Sequence, residues 1–592
     1  MRNSYHYSAR IAGRICKECL VHFTAINVTL FHSDEQECPG APNIRQAFKQ
    51  LSEEEYASMQ PALLGSGVTD EAGKTAISFD SEKSDYHGDC IEVVITLNHL
   101  PGSGTKLERP EHFRIAYYKP EWTQTGSGAM HSADFVLPAA LWCAYLKKHG
   151  IWLICGQVLT CSQPQAPVGG VTVKAFDTDW IQDDELGAAV TDANGRFYLY
   201  YDSAKFNRTP FSPFINIEWT GGPDVYFRIE GTDTDGNPVT LLDEPRSRGR
   251  AADRENVSNC FCVELCVDLV PQPDPYDVPM WTHIGNYQIP DSTNLHDLTI
   301  EGYTAVENRA FYGTMELLGQ TGTATASKKL RYRFLYAEWS GMTAPTPITP
   351  VTKDMIAATK VGQIITSISP LVLEPVYVNK PGATHNHEPD AAGWIEVEDD
   401  PMYTPIGNKL IALISSRLAA GANYSNPAPN PSAGSPAPSD PPREIHTFAL
   451  RYQLEQDTGS GWVAVHDQTL DAVVINNAHT LMWLELDEFI TNSSLCQPIT
   501  STVTVKYTVD HPHLDWYEVE IEKQGAHMDW PVPRVNHGGS LTFRGAATTT
   551  APVNITSWDP CSYIVWLRAH RRVTNGYGGP GVEHTYRTFC KS

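Results

Sequence analysis

Short runs of alternating apolar and polar residues dominate the chain, and a period of two marks a strand with one face in a core. The clearest example alternates Val171, Val173 and Ala175 with Thr172 and Lys174. Other such runs lie at 330–336, 448–454, 502–509 and 516–521. Turn residues separate the runs at short, regular intervals, as in β-sandwiches. The sequence therefore predicts a mainly β protein.

Few segments have the apolar spacing of a helix. We predict helices at 43–59, at 137–148 and at 356–368. The segment 137–148 is expected to be a connector packed on a sandwich.

An internal repeat is the most informative feature of the chain. The first copy contains Gly13, Val28-Thr29-Leu30, Asp34, Leu64-Gly65 and Thr69-Asp70-x-x-Gly73; the second contains Gly156, Val171-Thr172-Val173, Asp177, Leu186-Gly187 and Thr191-Asp192-x-x-Gly195. Gly to Val is fifteen residues and Val to Asp is six residues in both copies. We expect two sandwiches of about seven strands, superposable through the Thr-Asp-x-x-Gly hairpin.

The second copy resembles the transthyretin-like, carboxypeptidase-regulatory-like superfamily over residues 152–269, through Gly156, the 171–177 strand and the hairpin that ends in Gly195-x-Phe197. The first copy resembles it more loosely over residues 9–118. The resemblance implies tandem β-sandwiches that serve as structural or binding accessories. Some enzymes of this fold hold iron with two Tyr and two His. The second copy has no His between Cys155 and Pro279, which argues against such a site there.

Composition shifts divide the rest of the chain. We predict a first module with a helical insertion and connector helix at 1–150, a second module at 151–270, a mixed mainly β domain at 276–425, a Pro/Ser-rich linker or loop at 426–442 and a C-terminal β-sandwich at 443–592. The last domain is expected to be immunoglobulin-like. Overall, tandem transthyretin-like sandwiches precede a further β-sandwich region with few helices.

Charge and hydropathy exclude two classes of function. The formal net charge is −25, and an acidic chain repels phosphate backbones, so nucleic acid is not an expected partner. No run approaches the roughly 18–20 apolar residues that span a bilayer, so no membrane span is expected. The N-terminus lacks the apolar core of a secretory signal. We expect an extracellular or surface-associated protein, with a cytoplasmic protein as the alternative.

The 13 cysteines allow a disulfide framework if the protein is exported. Cys16 and Cys19 form a C-x-x-C, but a zinc site needs a second close ligand pair, and Cys38 and Cys90 do not supply one. Cys260 and Cys262 alternate, so both are expected on one face of a strand. Outside the cell, a Cys561–Cys590 bond is predicted to close the C-terminal segment.

Two further groups of residues suit metal ions. Asp177, Asp179, Asp183 and Asp184 are oxygen donors of the kind calcium prefers, although a solvated acidic loop is the favoured interpretation. His385 and His387 would face the same way on a strand, as metal ligands need, although a solvated polar loop is the favoured interpretation. No cofactor other than calcium is expected.

Three functions remain open, since no compact catalytic motif occurs. The first is a non-enzymatic structural or adhesive subunit of a filament, fibre, appendage or particle, which associates with itself or with other subunits. The second is a binding module for carbohydrate or peptide, using aromatic residues near Trp281 or Trp516, with a carbohydrate or a protein receptor as its partner. The third is an enzyme with its active site in residues 281–592.

Overall fold

The structure is a computed structural model that describes residues 4–16, 19–33, 38–125, 128–178, 184–202, 222–269, 279–289, 297–339, 343–420, 445–492, 498–540 and 543–592. Strands account for 56% of the structure and helices for 8%, which confirms the mainly β fold. The chain divides into two compact units. Unit 1 is Met1–Val270 with Ile365–Leu373, and unit 2 is Pro271–Ile364 with Glu374–Ser592.

The first module of unit 1 is a two-sheet sandwich. Its strands are β1 (Ser4–Arg14), β2 (Leu20–His22), β3 (Asn27–His32), β4 (Lys49–Leu51), β5 (Leu63–Val68), β6 (Lys74–Asp80), β7 (Ile91–His99), β8 (Lys106–Tyr118), β9 (Thr123–Thr125) and β10 (Gly128–Leu137). In one sheet β1 lies between β6 and the parallel strand β10, and the other sheet has the order β4-β8-β7-β3-β5. Ile11, Leu30 and Ile95 are buried in the core between these sheets.

Three short helices interrupt this module, and a fourth follows it. They are α1 (Ile44–Ala47), α2 (Glu53–Met59), α3 (Ser81–Ser84) and α4 (Ala139–Lys148). The helix predicted at 43–59 is wrong as a single helix because β4 separates α1 from α2. Ser52 starts α2 anew: its side chain accepts the Glu55 N–H, and the Glu55 carboxylate accepts the Ser52 N–H. The connector helix is confirmed as α4, which buries Trp142 and Leu146.

The second module repeats the same plan. Its strands are β11 (Ile151–Thr160), β12 (Thr172–Asp177), β13 (Asp184–Val190), β14 (Arg196–Asp202), β15 (Val225–Thr232), β16 (Pro238–Asp243) and β17 (Cys260–Val267). The orders are β14-β11-β17, with β11 parallel to β17, and β13-β12-β15-β16. These match β6-β1-β10 and β5-β3-β7-β8. Because β3 and β12 hold the same topological position, the predicted repeat is confirmed.

The matching hairpins share their geometry. The Asp70 Oδ1 accepts the N–H groups of Ala72 and Lys74, and the Asp192 Oδ1 accepts those of Asn194 and Arg196. Gly73 and Gly195 take φ values of 70° and 71°, which glycine adopts without strain. The Thr-Asp-x-x-Gly pattern therefore forms the same turn twice.

The alignment of the opening strands is corrected by the register. Thr75 pairs with Ala9, and its equivalent Phe197 pairs with Gly156. Gly156 therefore corresponds to Ala9, which lies four residues before the predicted match, Gly13. Asn27 pairs with Val68 and Thr172 with Val190. Val173 therefore matches Val28, two residues beyond the predicted Val171. The shared fifteen-residue spacing is coincidental.

In its described residues, unit 2 contains the remaining strands and two short α-helices. They are β18 (Met280–Ile284), β19 (Tyr287–Gln288), β20 (Ala310–Phe311), β21 (Thr314–Gln320), β22 (Leu330–Glu338), β23 (Thr349–Pro350), β24 (Ile356–Ala357), β25 (Thr359–Ile368), β26 (Leu371–Val378), β27 (His385–His387), β28 (Ile395–Glu396), β29 (Tyr403–Pro405), β30 (Lys409–Ile414), α5 (Ser415–Leu418), β31 (His446–Asp457), β32 (Trp462–Ile475), β33 (Leu481–Leu486), α6 (Asp487–Asn492), β34 (Thr502–Val503), β35 (Val505–Asp510), β36 (Leu514–Lys523), β37 (Ala526–Asn536), β38 (Gly545–Thr549), β39 (Val553–Asn554), β40 (Cys561–Arg571), β41 (Val573–Thr574) and β42 (Glu583–Lys591). Part of the β25–β26 hairpin, Ile365–Leu373, belongs to unit 1. The helix predicted at 356–368 is wrong, since β24 and β25 occupy it.

Two large hydrophobic cores organise the described part of unit 2. The first joins Trp281, Phe334 and Leu450. Its main sheet pairs β22 with β31, so strands on both sides of the 426–442 segment, which lies outside the described residues, share one sheet. The second core lies between the sheets β33-β35-β38 and β37-β36-β40-β42 and contains Val505 and Val565. This pair of sheets forms a sandwich near the end of the chain, and its immunoglobulin-like topology stays a prediction.

Within the described residues, none of the helices has the length and apolar character that a bilayer crossing requires.

Candidate functional site

Two of the four predicted calcium-binding aspartates of the second module, Asp177 and Asp184, lie among the described residues. Asp177 ends β12 and is 3% exposed, and its Oδ1 accepts the N–H of Asp224 at 2.7 Å. Asp184 begins β13 opposite Asp177. Asp179 and Asp183 lie outside the described residues. Asp177 thus has a structural acceptor role, and calcium binding at this loop stays a prediction.

His385 and His387 lie on β27, which runs parallel to β26. The Nε2 of His385 is 2.9 Å from Oε2 of Glu374, and the Nε2 of His387 is 3.2 Å from Oε2 of Glu398. The hydrogen bond from His387 lowers the pKa of Glu398. Since His385 also lies 3.8 Å from Glu398, both imidazoles face the same way, as the alternation predicts. Each imidazole has a carboxylate partner, and metal binding by the pair stays a prediction.

The predicted Cys561–Cys590 bond is not formed. Both residues are free thiols. Cys561 pairs with Lys591 and Cys590 with Ser562 across β40 and β42. Neighbouring positions of a strand point to opposite faces of its sheet, so this register sends the two thiols to opposite sides.

Among the described cysteines, three other disulfide bonds are formed, all in unit 1. They join Cys38 to Cys90, Cys143 to Cys260 and Cys161 to Cys266. The second of these fastens α4 to β17, and the third fastens the end of β11 to β17.

A cluster of four further thiols, which we call the thiol cluster, lies in the same unit. Cys16 and Cys19 come from the loop between β1 and β2, Cys155 from β11 and Cys262 from β17. The Sγ atoms of Cys16, Cys19 and Cys155 all lie within 4.8 Å of one another. The Sγ of Cys262 is 2.9 Å from that of Cys155. Among the described residues, this is the one place where three or more potential metal-ligand atoms of this kind converge.

Strand register explains how the thiols meet. Cys155 is directly opposite Cys262 in the parallel β11–β17 pair. Cys260, Cys262 and Cys266 alternate along β17 and lie on one face, as the spacing predicts. The first and last are bonded to other cysteines, whereas Cys262 points its thiol at Cys155. Cys19 is buried and Cys16 is half-buried.

The thiols perturb one another electrostatically. A hydrogen bond from Cys155, followed by one from Cys262, lowers the pKa of Cys19, and the contact with Cys19 raises the pKa of Cys155. The Arg196 guanidinium also favours the Cys19 thiolate. Four such thiols can hold a soft metal ion or oxidise to disulfides.

The sequence alone indicates only half of this cluster. The C-x-x-C pair was visible, but its partners lie far along the chain in the second module. The sequence feature that points to Cys262 is its alternation with Cys260, since this places both thiols on one face of a strand without giving Cys262 a partner.

Comparisons with known proteins leave the family open. No protein-family model and no curated protein matches the chain. Among solved structures, a 9R-lipoxygenase from Cyanothece PCC8801 shares 20% identity over 27% of this chain and 21% of its own, with a TM-score of 0.15. The SpaE basal pilin from Lactobacillus rhamnosus GG shares 8% identity over 45% of this chain and 100% of its own, with a TM-score of 0.16. A streptococcal ancillary pilin shares 9% identity over 58% of this chain and 94% of its own, with a TM-score of 0.15.

The chain thus spans about a fifth of the length of the lipoxygenase. All three likenesses are too weak to carry an argument about activity or partners. The transthyretin-like resemblance of the two modules stays a prediction.

Proposed function

We propose that the chain is a structural subunit of an extracellular or surface assembly, and that it has no catalytic turnover of its own. The observation that carries this proposal is a pair of equivalent edge strands, β5 and β13, one in each module of unit 1. Each is the outermost strand of its sheet.

The two edge strands have the same shape and exposure. Leu64 and Leu186 occupy matching β-bulges and are buried. Beyond them, Val68 and Val190 are 59% and 64% exposed. The intervening residues are Gly, Ser and Ala, without a charge or a proline. Proteins that avoid edge pairing place Lys or Pro on such strands, so these edges suit the addition of a strand.

The occupant that we propose is an edge strand of a second copy of this chain. Strand addition is a common mode of association, because main-chain hydrogen bonds supply affinity while side-chain pockets supply specificity. Two equivalent edges on one chain allow growth beyond a dimer. The carboxylates oppose contact, since the formal net charge is −25. Screening at 0.15 M salt shortens that repulsion to about 8 Å.

The disulfide bonds support a location outside the cytosol. Three bonds in one unit are typical of secreted and surface proteins, since cytosolic thiols are kept reduced. They also clamp the modules, which suits a subunit that bears load.

The alternative of ligand binding through aromatic residues receives less support. Trp281 is fully buried against Phe334, so its ring is not available to a sugar or peptide. Trp516 is covered by the Arg534 guanidinium, 3.8 Å from its ring centroid, and by His570. Both tryptophans stabilise the fold of unit 2.

Sedimentation velocity of the full chain tests the proposal. In 0.15 M salt we expect concentration-dependent oligomers that dissociate at 0.01 M, where repulsion reaches about 30 Å. The double variant Val68→Lys/Val190→Lys should stay monomeric. The matched control is Met130→Lys, which places the same charge on the central strand β10, where Met130 is 48% exposed. A wild-type chain that is monomeric at all concentrations overturns the proposal, and so does equal dissociation of the control.

A further inference from the structure

The thiol cluster has the donors and the spacing of a tetrahedral metal site. In a structural zinc site four thiolates lie about 2.3 Å from the ion, which places the sulfurs about 3.8 Å apart. The three mutually close thiols fall within 4.8 Å of one another, and Cys262 adjoins Cys155 at 2.9 Å. Moving the Cys155 and Cys262 sulfurs apart by about an ångström would give that pair the separation of two ligands.

The backbone holds the four thiols from two sides. Cys155 and Cys262 are fixed by the ladder between β11 and β17. The loop that carries Cys16 and Cys19 is closed by a hydrogen bond of 3.0 Å from the Ile15 N–H to the Cys19 carbonyl. A hydrogen bond of 3.1 Å from the Tyr198 hydroxyl to the carbonyl of Leu20, the first residue of β2 after this loop, ties β2 to β14. A C-x-x-C pair from one module thus faces a two-strand pair from the other.

The surroundings suit a negatively charged centre. A divalent ion with four thiolates carries a net charge of −2. The Nε of Arg196 is buried and has no hydrogen-bond partner among the described residues, although buried donors are nearly always paired. Since the Arg196 charge acts on Cys19, a thiolate centre would give this guanidinium an anionic neighbour, as partners beyond the ligands commonly do.

We propose that Cys16, Cys19, Cys155 and Cys262 form a tetrathiolate site for a structural Zn²⁺ ion that joins the two modules of unit 1. Thiolate sulfurs in a closed tetrahedral set select zinc among the common divalent ions. Ligation would also keep these thiols from oxidising in a unit that contains three disulfide bonds. The site does not depend on self-association, because all its ligands come from one chain.

The competing outcome is oxidation of the same four residues to disulfides. A Cys155–Cys262 bond would explain the contact between those two thiols. It would leave unexplained why both thiols of the C-x-x-C converge on the same point.

Metal content of the full chain, purified with its disulfides in place, is the first test. Native mass spectrometry should find a single Zn²⁺ per chain, and Co²⁺ exchanged into the site should give the intense visible bands of tetrahedral thiolate ligation. The double variants Cys16→Ser/Cys19→Ser and Cys155→Ser/Cys262→Ser should lose the ion and the bands. The control Cys561→Ser/Cys590→Ser, which removes two free thiols of unit 2, should keep both.

Peptide mapping without reduction keeps the proposal falsifiable if a double variant misfolds. In the wild-type chain the four thiols should resist alkylation until a chelator is added and then react. A Cys155–Cys262 or Cys16–Cys19 disulfide peptide overturns the proposal. A wild-type chain that binds neither Zn²⁺ nor Co²⁺ also overturns it, as does equal metal loss from the control.

Discussion

Thr69 and Thr191 make the same two hydrogen bonds in the two modules of unit 1. The Thr69 hydroxyl donates to the Phe23 carbonyl at 2.6 Å and accepts the Ile26 N–H at 3.1 Å. The Thr191 hydroxyl donates to the Val168 carbonyl at 2.9 Å and accepts the Val171 N–H at 3.1 Å. Both side chains are buried. Each hydroxyl thus pairs with two backbone groups of the loop that leads into the central strand, β3 in one module and β12 in the other.

Replacing either threonine with valine should therefore destabilise its module. The isosteric change leaves a buried N–H and a buried carbonyl without a partner, which costs about 1–3 kcal/mol. Urea denaturation of Thr69→Val and Thr191→Val should show this loss. The control Thr588→Val, on an exposed position of β42, should be nearly neutral. Wild-type stability of both variants would contradict the shared role.

The equivalence of these threonines also shows what the sequence could predict. The Thr-Asp-x-x-Gly turn fixed the alignment of the two copies at the hairpin, because the turn needs particular residues. The strands offered no such anchor. A slip of two or four residues keeps every side chain on its face, so pairing Val28 with Val171 and Gly13 with Gly156 satisfied the pattern equally well.

Burial on both faces accounts for the error at 356–368. Gly362, Gln363, Ile364 and Ile365 are buried in succession on β25. A continuous buried run lacks alternation and resembles a helix in sequence. The complete thiol cluster could not be predicted from the sequence for another reason. Its two halves come together only through the packing of one module against the other.

The disulfide bonds of the second module should contribute strongly to stability. The bond between Cys161 and Cys266 closes 105 residues, and loss of a native disulfide typically costs about 2–5 kcal/mol. We expect Cys161→Ala/Cys266→Ala to lower the free energy of unfolding by an amount in that range, measured by chemical denaturation. The control Cys561→Ala/Cys590→Ala breaks no bond and should cost less than about 1 kcal/mol. A similar loss in both variants would contradict the assigned pairing.

Arg568 is expected to be the most important cation of the C-terminal sandwich. Its guanidinium contacts Glu520, lies 2.5 Å from Glu522 and 3.8 Å from Glu518. The side chains of Glu518 and Glu520 are only 4% and 8% exposed. Arg568→Met would leave Glu520 with His527 as its remaining partner, while Arg534 still pairs with Glu518, so the loss should lie at the lower end of the roughly 3–5 kcal/mol that a broken buried ion pair costs.

A surface ion pair gives the matched comparison. Arg10 pairs with Asp134 through two hydrogen bonds, yet the two side chains are 44% and 61% exposed. Arg10→Met should cost at most about 1 kcal/mol, because water screens such pairs. The measurement is chemical denaturation of the two variants side by side. Equal losses in the free energy of unfolding would contradict the argument from burial.

His513 should make unit 2 sensitive to acid. It is 3% exposed between β35 and β36. Its Nδ1 lies 3.1 Å from the Asn476 amide nitrogen and its Nε2 lies 3.4 Å from the Tyr303 hydroxyl. Burial, followed by the charges of Arg572 and Arg544, lowers the pKa of His513 to about 3. The folded state therefore holds this imidazole neutral across the range in which an unfolded chain protonates it.

The sign of the effect follows from that difference. The unfolded histidine, with a pKa near 6.5, binds a proton first as the pH falls, so the stability present above pH 6.5 is lost progressively between pH 6.5 and about 3. Between pH 7 and pH 5 the loss from this residue should be roughly 2 kcal/mol. Urea denaturation at both pH values should show that His513→Gln removes this part of the loss. The control His584→Gln, at an exposed position of β42, should keep the wild-type dependence, and an unchanged dependence in His513→Gln would contradict the assignment.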